Sequence, residues 1–226
     1  MGGPVTVILI IKDLGFLAAA YLIGAIPFCQ IISKAVSGKN LTEMGDKNPG
    51  GWNLAFNVSK IWGALGIILD VGKGWLIYFI VLNFLNLKDF TFLNASHNQL
   101  LAMLAGVASV AGHNYTPYLK FKGGKGIATF LGFLLSVNPL SIPVVAAGIL
   151  ASLFWAKNMI WAITAGIIFS GVFLFFFKES AIYLIMIPLL IAVMVPRQIN
   201  RSIKLSINFK FRKEKTLADL FTPKIR

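Results

Sequence analysis

The feature that most constrains this chain is a series of long stretches nearly free of charge: 14–33, 61–87, 90–119, 126–156, 158–177 and 180–196. Only Asp70 and Lys73, both in the second stretch, interrupt them. A bilayer core about 30 Å thick takes roughly 20 apolar residues of helix. Most of these blocks therefore predict single transmembrane helices. The block 126–156, at 31 residues, is too long for one ordinary crossing, and Asn138-Pro139 and Pro143 interrupt it. Proline removes a backbone donor and favours a turn, so this block predicts a helical hairpin. Its first arm, 126–137, is short for a bilayer. Composition agrees: 57% of the 226 residues are hydrophobic and 13% are charged, against about 25% charged in soluble domains.

Charge placement sets the topology. With a hairpin at 126–156, the loops 34–60 and 120–125, Lys157 and the tail 197–226 share one side and hold 17 of the 21 Lys and Arg residues. Lys12, Lys88 and Lys178 fall on the other side, and Lys73 lies within a span. Basic loops stay cytoplasmic. The expectation is an all-α polytopic membrane protein with about seven transmembrane helices, N-terminus outside and C-terminus cytoplasmic. Residues 1–196 form one transmembrane domain and 197–226 a basic cytoplasmic tail expected to lie on the anionic inner leaflet. No basic n-region precedes the first apolar run, so no cleavable signal peptide is expected. The net charge of +13, placed beside hydrophobic spans, points to anionic headgroups or an anionic substrate rather than nucleic acid.

Between two apolar blocks stands "KFKGGKGIAT", 120–129. It departs from the Walker loop, which needs Gly at 119 and Ser or Thr at 126, and from the Rossmann turn, whose third glycine would be Thr129. Its glycines Gly123, Gly124 and Gly126 allow backbone N–H groups to line one concave site. Lys125 adds a point charge, a helix starting near Gly126 points its positive end at the loop, and Thr129 adds a hydroxyl one turn in. Together they read as a phosphate cradle at the cytoplasmic surface. An ordinary positive-inside turn is the plainer alternative, against which the clustered glycines weigh.

The loop "GKNLTEMGDKNPGGWNLAFN", 38–57, carries Gly45, Gly50, Gly51, Asn48, Asn53, Glu43, Asp46 and Lys47. It reads either as a wrap around a small polar molecule or as a solvated loop rich in turn residues. Asp70 and Lys73, three apart on one helix face, form a structural or functional intramembrane ion pair. His113 is placed to bind phosphate, to orient the 120–126 loop, or to pack with a hydrogen bond. His97 is assigned to the outer loop, away from the site, and Cys29 to apolar packing. No Ser-His-Asp or Cys-His arrangement and no metal-ligand spacing is visible, so neither metal nor cofactor is expected.

The segment "GVASVAGHNYTPYLKFKGGKGIAT", 106–129, with "YLIGAIPF" at 21–28 and "LDVGKG" at 69–74, resembles the bacterial membrane acyltransferases that move a fatty acyl group from acyl phosphate to glycerol 3-phosphate (the PlsY family). That family's pattern runs G-H…F-x-G-G-K-G-x-A-T, and the likeness covers nearly the whole chain. Two motifs depart. Where the family's first loop reads G-S-G-N-x-G-A-T-N-x-x-R, this chain has "GDKNPGGWNLAF", 45–56, with Asp46 for the serine, Trp52 for the threonine and Phe56 for the arginine. After the last span "MVPRQINRSIK", 194–204, keeps Arg197, Asn200 and Arg201 but has Pro196 where the family has histidine.

The resemblance implies acylation of glycerol 3-phosphate, giving lysophosphatidic acid and phosphate for phospholipid synthesis at the plasma membrane, with the site facing the cytoplasm. Gly123, Gly124, Lys125, Gly126 and Thr129 would bind acyl phosphate, with His113 nearby. Gly50, Asn48 and Asn53 would hold the acceptor and orient its hydroxyl, and Arg197, Asn200 and Arg201 would bind its anionic group. The proton would go to the acceptor's own phosphate or to Asp46. The departures raise two alternatives: the same fold acylating a different acceptor, or a non-catalytic lipid-binding homologue. A small-solute transporter would explain the hairpin and the Asp70/Lys73 pair, but not polar loops gathered on one side.

Overall fold

The computed structural model describes residues 4–85 and 90–199. It is helical apart from one short hairpin. The helices are α1 (Pro4–Ala25), α2 (Phe28–Ser37), α3 (Gly51–Asn57), α4 (Lys60–Phe84), α5 (His97–Asn114), α6 (Ile127–Val137), α7 (Ser141–Ala156), α8 (Met159–Lys178) and α9 (Ile182–Met194). The strands β1 (Thr91–Phe92) and β2 (Ala95–Ser96) pair antiparallel just before α5. Four stretches are long and apolar enough to cross a bilayer: Ile10–Ser37, Lys60–Phe84, Met159–Lys178 and Ile182–Ile199. Large apolar side chains face outward, Trp155 at 86% exposure among them. Such a surface is costly in water and favourable in lipid.

The first stretch differs from its expected 14–33. Helix α1 runs straight through Lys12 and Asp13, because Asp13 Oδ2 meets His97 Nε2 at 2.8 Å and its charge has a partner. Pro27 has no N–H to donate, so the rod breaks there and restarts as α2. The block 90–119 also departs. It holds the β-hairpin, an 18-residue α5 and a 3-10 turn at Pro117–Leu119. Helix α5 starts at His97 because Ser96 and Gln99 form a reciprocal capping box. His97 is therefore not an outer-loop residue: it is the first residue of α5 and is buried. The block 126–156 is broken where expected, into α6 and α7 joined at Asn138–Pro139–Leu140, and Pro143 falls in the first turn of α7, where proline is tolerated.

Helices α1, α5 and α9 run the same way. Asp13, midway along α1, meets His97 at the start of α5. Near their C-terminal ends, Cβ atoms added at Gly24 or Gly112 would lie 2.2 Å from Ser109 O or 2.0 Å from Tyr21 O. Only small residues permit so close an approach. For α9, Ser180 just before it donates to Leu93 O at 2.8 Å, and Val193 near its end accepts from Asn114 Nδ2 at 3.1 Å. Helix α4 runs opposite to α5, since Asn98 near the start of α5 donates to Leu85 O just past the end of α4 and Asp70 lies beside His113 near the end of α5. The core is apolar and shared by α4, α5, α6, α8 and α9, with Tyr78, Met103, Phe133, Ile167, Met186 and Leu190 at its centre. This arrangement brings the C-terminal ends of α1, α5 and α9, the start of α6 and the loop before α3 together.

Candidate active site

The glycine-lysine loop is held from beneath by α5. Gly123 N–H donates to Asn114 O at 3.2 Å and Gly124 N–H to His113 O at 3.0 Å. From above, Arg197 donates through Nε to Gly124 O at 3.3 Å and through Nη2 to Gly123 O. This corrects the expectation that Gly123 and Gly124 offer their N–H groups to a ligand: both are spent on α5. These two residues are glycines because the chain passes directly over His113. A Cβ at Gly124 would lie 2.0 Å from His113 Nε2, and one at Gly123 would lie 2.1 Å from His113 O. Gly126, at φ +79°, is the N-cap of α6, in the left-handed region that glycine enters without strain. The positive end of α6 therefore begins at Lys125–Gly126, the start that the sequence predicts for that helix.

Arg197 is thus a clamp on the loop's carbonyls, not a free anion binder. His113 takes the loop-orienting role among those the sequence left open. Thr129 is buried at the α4–α6 crossing, its carbonyl facing Gly74, and its Oγ1 has no hydrogen-bond partner among the described residues. Asn200 and Arg201, with the rest of the tail and Lys88, lie outside the described residues.

The first loop closes on itself. Asn53 Nδ2 donates to Leu41 O and Met44 O at 3.0 Å and to Asn48 O at 2.9 Å, and its Oδ1 accepts from Asn57 Nδ2 at 2.7 Å. Asn53 is therefore the organiser of this loop rather than a group that orients a substrate hydroxyl. Gly50 caps α3, and Asn48 is half-buried with its backbone N–H on Asp46 Oδ1 at 3.3 Å. Trp52 and Phe56 lie one turn apart on the outer face of α3, 49% and 57% exposed, with ring centroids 4.7 Å apart.

The two loops meet, as their shared side implied. Lys125 Nζ stands 3.2 Å from Asp46 Oδ2. Beneath the glycine loop is a small hollow lined by Ile26, Pro49, Lys73, His113, Thr116 and Gly123–Gly124. Its floor is a buried charge cluster. Lys73 Nζ lies 2.9 Å from Asp70 Oδ1 and 3.0 Å from Ile26 O, the carbonyl beside the Pro27 break. His113 Nδ1 lies 3.6 Å from the same Asp70 oxygen, and Cys29 Sγ donates to Asp70 Oδ2 at 3.3 Å. Sequence spacing shows the Asp70/Lys73 pair. It does not show that His113 and Cys29, 43 and 41 positions away from Asp70, complete it.

Fold and site define a multi-pass helical membrane protein with a cationic, glycine-built site where several helix ends converge. The sequence profile of the family described as glycerol-3-phosphate acyltransferase matches residues 14–205. The chain belongs to this family of membrane acyltransferases. It is 32% identical over 168 residues to the glycerol-3-phosphate acyltransferase of Bordetella petrii, covering 74% of each chain. It is 35% identical over 156 residues to that of Thermosipho melanesiensis, covering 69% of this chain and 71% of the relative. With the Anaplasma phagocytophilum enzyme it shares 35% identity over 131 residues, 58% of this chain and 63% of that one. Among solved structures it is similar to PlsY (YgiH), an integral membrane glycerol 3-phosphate acyltransferase, in its glycerol 3-phosphate form. The TM-score is 0.70 at 27% identity, covering 93% of this chain and 100% of that one. The lysophosphatidic acid form of the same protein gives the same TM-score at 26% identity.

Proposed function

We propose that the chain transfers a fatty acyl group from acyl phosphate to glycerol 3-phosphate, yielding 1-acylglycerol 3-phosphate and inorganic phosphate. The observation that carries this reading is the α5-anchored glycine loop, Gly123–Gly124, on a hollow lined by Lys73 and His113, with Lys125 and the N-terminus of α6 following that loop directly in the chain. The acceptor hydroxyl oxygen attacks the acyl carbonyl carbon. A new C–O ester bond forms, the acyl C–O bond to phosphate breaks, and phosphate leaves with the bonding pair. The hydroxyl proton passes to a phosphate oxygen, whose second pKa near 6 suits it to accept. Acyl phosphate is already activated, so positioning and charge stabilisation suffice. Lys125 and the positive end of α6 stabilise the leaving phosphate. Gly123, Gly124, His113 and Arg197 hold that loop in place, and Asn53 holds the first loop against it, with Asn48 and Gly50 at the acceptor side.

The same reading places residues 1–196 in the plasma membrane with seven crossings, N-terminus outside. The site and the tail 197–226 face the cytoplasm. The basic excess of one side supports this. So do the common direction of α1, α5 and α9 and the two arms α6 and α7, although α6 at 11 residues reaches only about 17 Å.

Asp46, facing Lys125 at 3.2 Å, favours a second reading in which the acceptor is a neutral polyol or amine and Asp46 takes its proton. Purified protein with acyl phosphate and a panel of acceptors separates the two. Lysophosphatidic acid formed only with glycerol 3-phosphate supports the first reading. Product formed with glycerol but not with glycerol 3-phosphate supports the second. Acyl phosphate binding without phosphate release in any arm would leave a lipid-binding homologue.

A further inference from the structure

The hollow holds two buried groups that the roles above leave unused. Thr116, 1% exposed, follows the end of α5 and lines the hollow, and its Oγ1 has no hydrogen-bond partner. Lys73, 4% exposed, lines the same hollow. Its ammonium has three donors; Asp70 Oδ1 and Ile26 O accept two, and the Phe28 ring lies 5.8 Å away. A buried hydroxyl left unmatched is costly unless a ligand atom completes it, and the Lys73 ammonium beside it adds positive charge to the same hollow.

The charge balance selects that atom. Asp70 offsets Lys73, and Asp46 offsets Lys125. Arg197, whose partners among the described residues are carbonyls, adds a positive charge beside the hollow. The surroundings thus favour an anionic oxygen, and both unused groups can donate to one. We infer that Lys73 and Thr116 form a buried subsite for a phosphate oxygen of the substrate, on the α4–α5 side of the glycine loop. The phosphate would be gripped by Lys73 and the Thr116 hydroxyl together with Lys125 and the start of α6. His113, between Asp70 and Gly124, sets the spacing of the two. The inference rests on the reading that the substrate carries a phosphate group.

The test measures binding of inorganic phosphate to the full chain in detergent micelles by phosphorus NMR, alongside turnover with acyl phosphate and glycerol 3-phosphate. Thr116→Val keeps the shape and removes the hydroxyl, and Thr116→Ser restores it. The valine variant should bind phosphate about tenfold more weakly, the loss expected for one hydrogen bond to a charged group. Serine should recover most of that, with the thermal midpoint unchanged in both. The double variant Asp70→Asn/Lys73→Met, which leaves no unpaired buried charge, should weaken binding further. Should it fail to fold, the threonine pair decides alone. Unchanged binding in Thr116→Val, no recovery in Thr116→Ser, or no binding by the unaltered chain at millimolar phosphate would overturn the subsite. Phosphate binding that depends on Thr116 without any turnover would keep the subsite and remove the acyl-transfer reading. Turnover with phosphate binding indifferent to Thr116 would do the reverse.

Discussion

The two loops that face each other across the hollow are built on opposite plans. The glycine-lysine loop is tied to other parts of the fold: its N–H groups to α5, its carbonyls to Arg197 after α9, and its glycines to the surface of His113. The first loop is tied to itself, through one amide, Asn53, that gathers the carbonyls of Leu41, Met44 and Asn48. A loop held by three helices tolerates little change. A loop that closes on its own backbone leaves its outer face free to vary. The departures from the family pattern follow this division. Of the three departures in the first loop, Trp52 and Phe56 fall on the exposed face of α3, and Asp46 reaches the partner loop.

The largest effect should come from Lys125→Ala, which removes the cation at the junction. Turnover should fall about 100-fold or more, with the thermal midpoint little changed. Next, Asn53→Ala strands three carbonyls, and denaturation should show roughly 2–3 kcal/mol lost, with activity lost only as folding is lost. Gly124→Ala drives a methyl into His113 and should cost about 1–3 kcal/mol. Adding His113→Ala should recover part of the stability, whereas an unaltered loop pinned by His113 in name only would show no such recovery. These three variants separate the cation that acts on the phosphate from the contacts that hold each loop in shape.

The gentler changes sharpen the contrast. Asp46→Ser frees Lys125 of its carboxylate, so KM for glycerol 3-phosphate should drop by about tenfold, equal to about 1.4 kcal/mol. A rise in KM would instead support the neutral-acceptor reading. Phe56→Ala and Trp52→Ala, on the outer face of α3, should change the stability of detergent-solubilised protein by less than about 0.5 kcal/mol.

Much of this was legible beforehand. The ends of α4 and α8 and the break between α6 and α7 followed from apolar length and proline. The site's loops followed from glycines placed among lysines. The sequence misleads where a polar residue has a distant partner. Asp13 reads as the edge of a span until His97 is placed beside it, and the block 90–119 hides a capping box that starts α5 late. Apolar counting sees neither. Likewise, the glycines 123 and 124 were read as ligand donors because their spacing allows it. Only the course of α5 beneath them shows that they are there to clear His113. Asn53 looked like a substrate contact for the same reason, since an amide's partners cannot be read from its position.

The central claim is acyl transfer from acyl phosphate to glycerol 3-phosphate, and its most direct test is phosphate release from palmitoyl phosphate by purified protein, with and without glycerol 3-phosphate. The account expects release that requires glycerol 3-phosphate, with one lysophosphatidic acid formed for each phosphate freed. Release that ignores glycerol 3-phosphate, or none at all from folded protein, would contradict it.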